Sequence, residues 1–114
     1  AIAIDEASIA RGGPCAAYLP ILLVRRSAIE LALDKRDAAA VDAGRALGLL
    51  ESATAAGTSS SDLGSAYLAH GRALQALSRP EEARAAFRSA AEHLEATLGA
   101  DHPDTKIARQ LAEL

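Results

Sequence analysis

The chain has no tryptophan and no methionine, and only one phenylalanine, two tyrosines and one cysteine among its 114 residues. So few aromatics exclude a core built on large rings, and they disfavour strands, which prefer β-branched and aromatic residues. The lone Cys15 excludes an intramolecular disulfide and fits a reducing compartment. No secretory leader is legible, and no apolar run approaches the roughly 20 residues of a membrane helix. The longest, 16–24, contains Pro20 and stops at Arg25. The net charge is −3 and basic pairs such as Arg25-Arg26 are isolated, so the clustered basic face that nucleic acid requires is missing. The expectation is a cytoplasmic protein with neither a nucleic-acid nor a membrane partner.

What is present is alanine, about a quarter of the chain, within a hydrophobic fraction of 50%. Alanine is the best helix former and lets backbones approach closely, so the fold class expected is all-α. Ten Arg against two Lys is the usage of GC-rich bacterial genomes, which makes the expected source bacterial.

Apolar periodicity and turn chemistry divide the chain into helices. Leu63, Tyr67, His70, Leu74 and Leu77 recur at steps of three and four, predicting a helix over 61–77 with N-cap candidates Ser60, Ser61 and Asp62. Ser78 to Glu81 breaks the chain. Pro80 and Glu81-Glu82 then suit a new first turn, and the helix runs to Leu98, where Gly99 can take positive φ. Its inward face is Ala83, Phe87, Ala90, Leu94 and Leu98, and its outward face Arg84, Arg88, Glu92 and Glu95. In the first half, a helix over 17–33, a break at 34–37 and a helix to Thr54 repeat the arrangement, with a small polar connector at 55–59. Connections this short make each pair antiparallel.

Sliding the sequence on itself by 44 positions superposes these breaks: 34–37 falls on 78–81, and Leu33 on Leu77, Ala39 on Ala83, Ala46 on Ala90, Leu50 on Leu94. A repeated helix pair of this period implies a solenoid, each unit burying its face on the next. Tyr67, Gly71, Ala83, Phe87 and Ala90 resemble the tetratricopeptide repeat motif in type and spacing. Leu98-Gly99-Ala100-Asp101-His102-Pro103-Asp104-Thr105 resembles the inter-repeat linker of the kinesin-light-chain-like subgroup found in bacterial signalling proteins. In the first repeat the corresponding places hold Leu23, Ser27, Ala39, Ala43 and Ala46. Arg26 and Glu30 fall on its packed face, spaced so that they could pair with each other.

The resemblance implies one domain over 1–114, a right-handed solenoid of antiparallel helix pairs with about five helices and an N-terminal helical remnant. Its parts are the end of a preceding helix at 1–13, a degenerate repeat at 14–57, a full repeat at 58–101, and a first or capping helix of a third at 102–114. It further implies a concave groove for a peptide or protein segment, lined by Ile21, Val24, Ala28 and Leu31, then Ser65, Leu68, Arg72 and Gln75, then Arg109. Apolar and Arg side chains together call for a partner with apolar anchors and some acidic character. A carboxylate clamp for chaperone tails is disfavoured, because Val24, Ala28 and Ala69 stand where its polar members would be. Two further readings remain open: a regulatory segment of a larger kinase or transcription regulator, and homotypic assembly through exposed terminal helices.

Catalytic chemistry is not legible. His70, His93 and His102 have no metal-ligand spacing with one another or with Cys15. His70 lies on the apolar stripe, as a core or groove-edge histidine. His93 falls on a polar face and is expected in solvent, and His102 is expected to cap or pack in the linker. Cys15 follows Gly12-Gly13-Pro14 without an activating base, and Glu81 and Glu82 point different ways on one helix. Neither enzyme activity nor a cofactor is expected.

Overall fold

The computed structural model describes residues 19–54 and 58–113. The expected helical remnant at 1–13, the Gly12-Gly13-Pro14 loop, Cys15, the predicted helix start at 17–18 and Gly57 lie outside the described residues. Among those described, every regular element is an α-helix: α1 Leu19–Ala32, α2 Arg36–Ala53, α3 Ser61–Ala76, α4 Pro80–Leu98 and α5 Pro103–Ala112.

The helix ends follow local chemistry. Ser60 sits in extended backbone and its hydroxyl accepts from the Leu63 N–H at 3.2 Å, which caps α3. Pro80 opens α4 with Glu81 and Glu82 in its first turn, and Gly99 closes it at φ 93°. His102 caps α5, its Nδ1 accepting from the Asp104 N–H at 3.1 Å, and Pro103 takes the first helical position.

The α1–α2 and α3–α4 turns share one geometry at the 44-residue spacing. Asp34 and Ser78 each adopt φ 61°, the left-handed region. In the first turn the Lys35 N–H donates to the Glu30 carbonyl at 2.7 Å and the Asp34 N–H to Leu31 at 3.1 Å. In the second, Arg79 donates to Leu74 at 3.0 Å and Ser78 to Gln75 at 3.1 Å. Both satisfy the last carbonyls of the incoming helix by the same pair of bonds, usually seen with Gly at the left-handed position.

Each turn folds its helix back on its predecessor; α2 then packs on α3, α4 on α5, and α1 reaches α3 directly. Leu19 and Leu23 of α1 meet Ala46 and Leu47 of α2 and Leu63 and Ala66 of α3. Leu74, Ala83, Ala86 and Phe87 form a second cluster, and Ala90, Ala91, Leu94 and Ala108 a third; Tyr67 packs against all three. Small residues set the spacing. A Cβ on Gly71 would fall 2.6 Å from the Phe87 ring, and one on Gly64 2.7 Å from Leu94, so α3 and α4 touch where a side chain would hold them apart.

Candidate partner groove

Residues on α1 that do not meet α2 form a second stripe, and the α1–α3 contact brings it beside the matching stripe of α3. Two hollows result. One, of about 210 Å³, is lined by Val24, Ala28 and Leu31 of α1, by Ser65, Leu68 and Arg72 of α3, and by Asp104 at the start of α5, with Ser27 and Ala69 in its floor. The other, of about 230 Å³, shares Val24 and Ser65 with it and adds Pro20, Ile21, Arg25, Leu50 and Asp62. They form one shallow, mostly apolar track with Arg25 and Asp62 toward one end and Arg72 and Asp104 toward the other. Drug-sized ligand pockets run to about 300–1,000 Å³. Each hollow is below that range and has the size of a seat for a side chain.

Of the residues predicted for the groove, Ile21, Val24, Ala28, Leu31, Ser65, Leu68 and Arg72 are thus brought together. Gln75 is exposed on α3 and lines neither hollow. Arg109 stands elsewhere: it pairs with Glu95 at 2.5 Å and lines a cleft between α4 and α5. The rotation of α5 on α4, which the sequence does not encode locally, turns Arg109 that way and sends Asp104 to the groove. In the sequence Asp104 carries only the signal of a helix start, and nothing in its spacing marks a place beside the α1–α3 hollow.

The α1 side of the track rests on polar chemistry. Ser27 is fully buried and donates to the Ala39 carbonyl at 2.8 Å. Arg26 extends its guanidinium to Asp42 across the hairpin, Nε to one carboxylate oxygen at 2.7 Å and Nη2 to the other at 2.9 Å. The sequence spacing lets Arg26 pair with Glu30, whose pKa burial raises and the Arg26 charge lowers; the two-pronged bond to Asp42 also ties α1 to α2. Burial raises the Asp42 carboxyl, but hydrogen bonds from Arg26 and Glu30 and the charges of Arg26 and Arg45 outweigh it and hold Asp42 below its ordinary value. Glu30 goes the other way, pushed up to about 7 by burial and then by its hydrogen bond to Asp42. Below about pH 7 a protonated Glu30 can donate to ionised Asp42, and its Oε1 is buried without a hydrogen-bond partner among the described residues.

The histidines divide three ways. His70 is half-buried on α3 and its pKa is lowered by burial, with Glu82 opposing. His102 caps α5, as its linker position led one to expect. His93 departs from the expectation of a solvated side chain. Its ring stacks on Tyr67 with centroids 5.8 Å apart and planes 14° apart, and its Nδ1 accepts the Ser60 N–H at 3.1 Å. Tyr67 in turn donates to Glu51 at 2.9 Å, so α2, α3 and α4 are joined through one chain of contacts. Helical periodicity placed His93 on the polar side of α4 but could not show that the start of α3 covers that side.

Among the described residues no helix is long and apolar enough to cross a membrane. No protein-family model, no curated protein and no solved structure matches the chain.

Proposed function

We propose that this chain is a protein-interaction module of tetratricopeptide-repeat type, which holds an extended or helical segment of a partner protein along the α1–α3 track without catalysing a reaction. The observation that carries this reading is the track itself. Three helices that each open a hairpin or follow one, α1, α3 and α5, contribute Val24, Ala28, Leu31, Leu68, Arg72 and Asp104 to a single hollow. The recurrence of one turn geometry at Asp34 and Ser78 supports the repeat, as do Gly71 against Phe87 and the Gly99–Pro103 linker.

Apolar seats of side-chain size favour a partner with two or more spaced aliphatic or aromatic anchors. Arg72 makes no ion pair among the described residues, so an acidic residue beside an anchor would gain an exposed charge contact. The test is panning of a random peptide library on the chain, with the selected peptides then titrated against Leu68→Glu and Arg72→Glu. Binding that falls by roughly tenfold or more in both variants supports the groove; binders indifferent to both place recognition elsewhere.

A further inference from the structure

We propose that the outer stripe of α4, with the cleft it forms against α5, is a two-fold symmetric docking surface for a second copy of this chain. This inference is independent of the partner groove, whose α1 and α3 residues it does not use.

Arg84, Arg88, Glu92 and Glu95 follow one another at helical steps and so form one stripe along α4, basic in its first half and acidic in its second. An open cleft of about 670 Å³ runs beside it, lined by Arg84, Arg88, Ala91, Glu92, Arg109, Ala112 and Glu113. Arg84, Arg88 and Glu92 make no ion pair among the described residues. The first turn of α4 carries Glu81 and Glu82, as its dipole favours, but the acidic half of the stripe lies toward the opposite end. Cations are favoured near a helix C-terminus and anions near the N-terminus, yet Glu95 stands near the end of α4, whose last turn has no basic residue. The dipole of α4 therefore gives no reason for the acidic end, although Glu95 there pairs with Arg109 of α5.

A second α4 laid antiparallel does give one. Reversal about the middle of the stripe sets Arg84 opposite Glu95 of the second copy and Arg88 opposite its Glu92, and the two-fold axis repeats both pairs, as an isologous contact requires. Ala91 and Ala112 leave room for the incoming helix to seat between α4 and α5, so that four helices meet. A parallel arrangement would set like charges together. A uniformly acidic peptide would meet Glu92 and Glu95, and a basic one Arg84 and Arg88, whereas a reversed copy satisfies both halves.

The test is sedimentation equilibrium of the whole chain over a range of concentrations, at about 0.1 M and about 1 M salt, where screening shortens from about 10 Å to about 3 Å. The expected result is a mass rising with concentration toward twice 11.7 kDa at low salt, and less so at high salt. Arg84→Glu with Arg88→Glu, and separately Glu92→Arg with Glu95→Arg, should each weaken self-association roughly tenfold or more. Mixing the two should restore a one-to-one dimer, since every facing pair is then opposite in charge. Far-UV circular dichroism checks folding; if a double variant loses helix, the single pair Arg88→Glu and Glu92→Arg repeats the exchange without touching the Arg109–Glu95 contact. A mass that stays at one chain overturns the proposal, as does a dimer indifferent to these changes or a mixture that fails to associate where the wild type does.

Discussion

Replacing Gly71 with alanine should destabilise the protein, although the same change elsewhere in a helix stabilises it. Glycine in a helix interior costs about 1 kcal/mol relative to alanine, so propensity alone favours Gly71→Ala. The new methyl, however, would lie 2.6 Å from Phe87 Cε1, 2.7 Å from Cδ1 and 3.1 Å from Cζ. Phe87 is 1% exposed and is held among Leu74, Ala83 and Ala86, so the ring cannot swing aside without moving the cluster. Overpacking of this kind costs about 1–3 kcal/mol, and more where neighbours are rigid. The expected net loss is about 1–2 kcal/mol, a fall in Tm of several degrees for a chain of this size. Gly48 is the internal control: a methyl there meets nothing within 4 Å, and Gly48→Ala should gain about 0.5–1 kcal/mol. Urea and thermal unfolding followed by circular dichroism read both. Adding Phe87→Leu to Gly71→Ala should recover part of the loss as a measurable coupling. Equal stabilisation by Gly71→Ala and Gly48→Ala would refute the close α3–α4 contact.

Three further outcomes follow from the same contacts. Glu30 keeps its proton to about pH 7 folded but only to about 4.5 unfolded, so the folded chain binds more protons between these values. Unfolding free energy should therefore fall by about 1–3 kcal/mol as pH rises through that window, then level off. His70, with its pKa lowered, acts in the opposite sense, costing stability as pH falls below its ordinary value; subtracting the pH profile of Glu30→Gln cancels it and isolates the Glu30 contribution. Ser78→Gly should raise stability by up to about 1 kcal/mol in urea unfolding, because it relieves a left-handed residue at φ 61°. Ser27→Ala should lower it by about 1–2 kcal/mol, since the buried Ala39 carbonyl loses its 2.8 Å donor.

The helices were legible because each end is written in local chemistry. Ser60, Pro80, Gly99 and Pro103 act within one turn of where they stand, and the helices found end within two residues of the spans predicted from them. The left-handed turns at Asp34 and Ser78 were legible as breaks but not as left-handed, since neither residue is glycine. What local chemistry does not determine is how one helix is rotated against the next. That rotation put Asp104 rather than Arg109 beside the α1–α3 hollow, turned Arg26 toward Asp42, and brought His93 under the start of α3. Seven of the residues expected on one face nevertheless line the two hollows together, because α1 and α3 each show one face to α2 or α4 and a second, mixed face away from them.

The central claim is that recognition runs along α1 and α3, and amide chemical-shift mapping tests it most directly. A library-selected peptide is titrated into the labelled chain, and the residues whose amides move are read off. The account predicts saturable shifts concentrated at Ile21, Val24, Ala28, Leu68, Arg72 and Asp104, with those of Val41 and Arg88 left in place. Shifts gathered on the outer faces of α2 and α4, with the track silent, would contradict it.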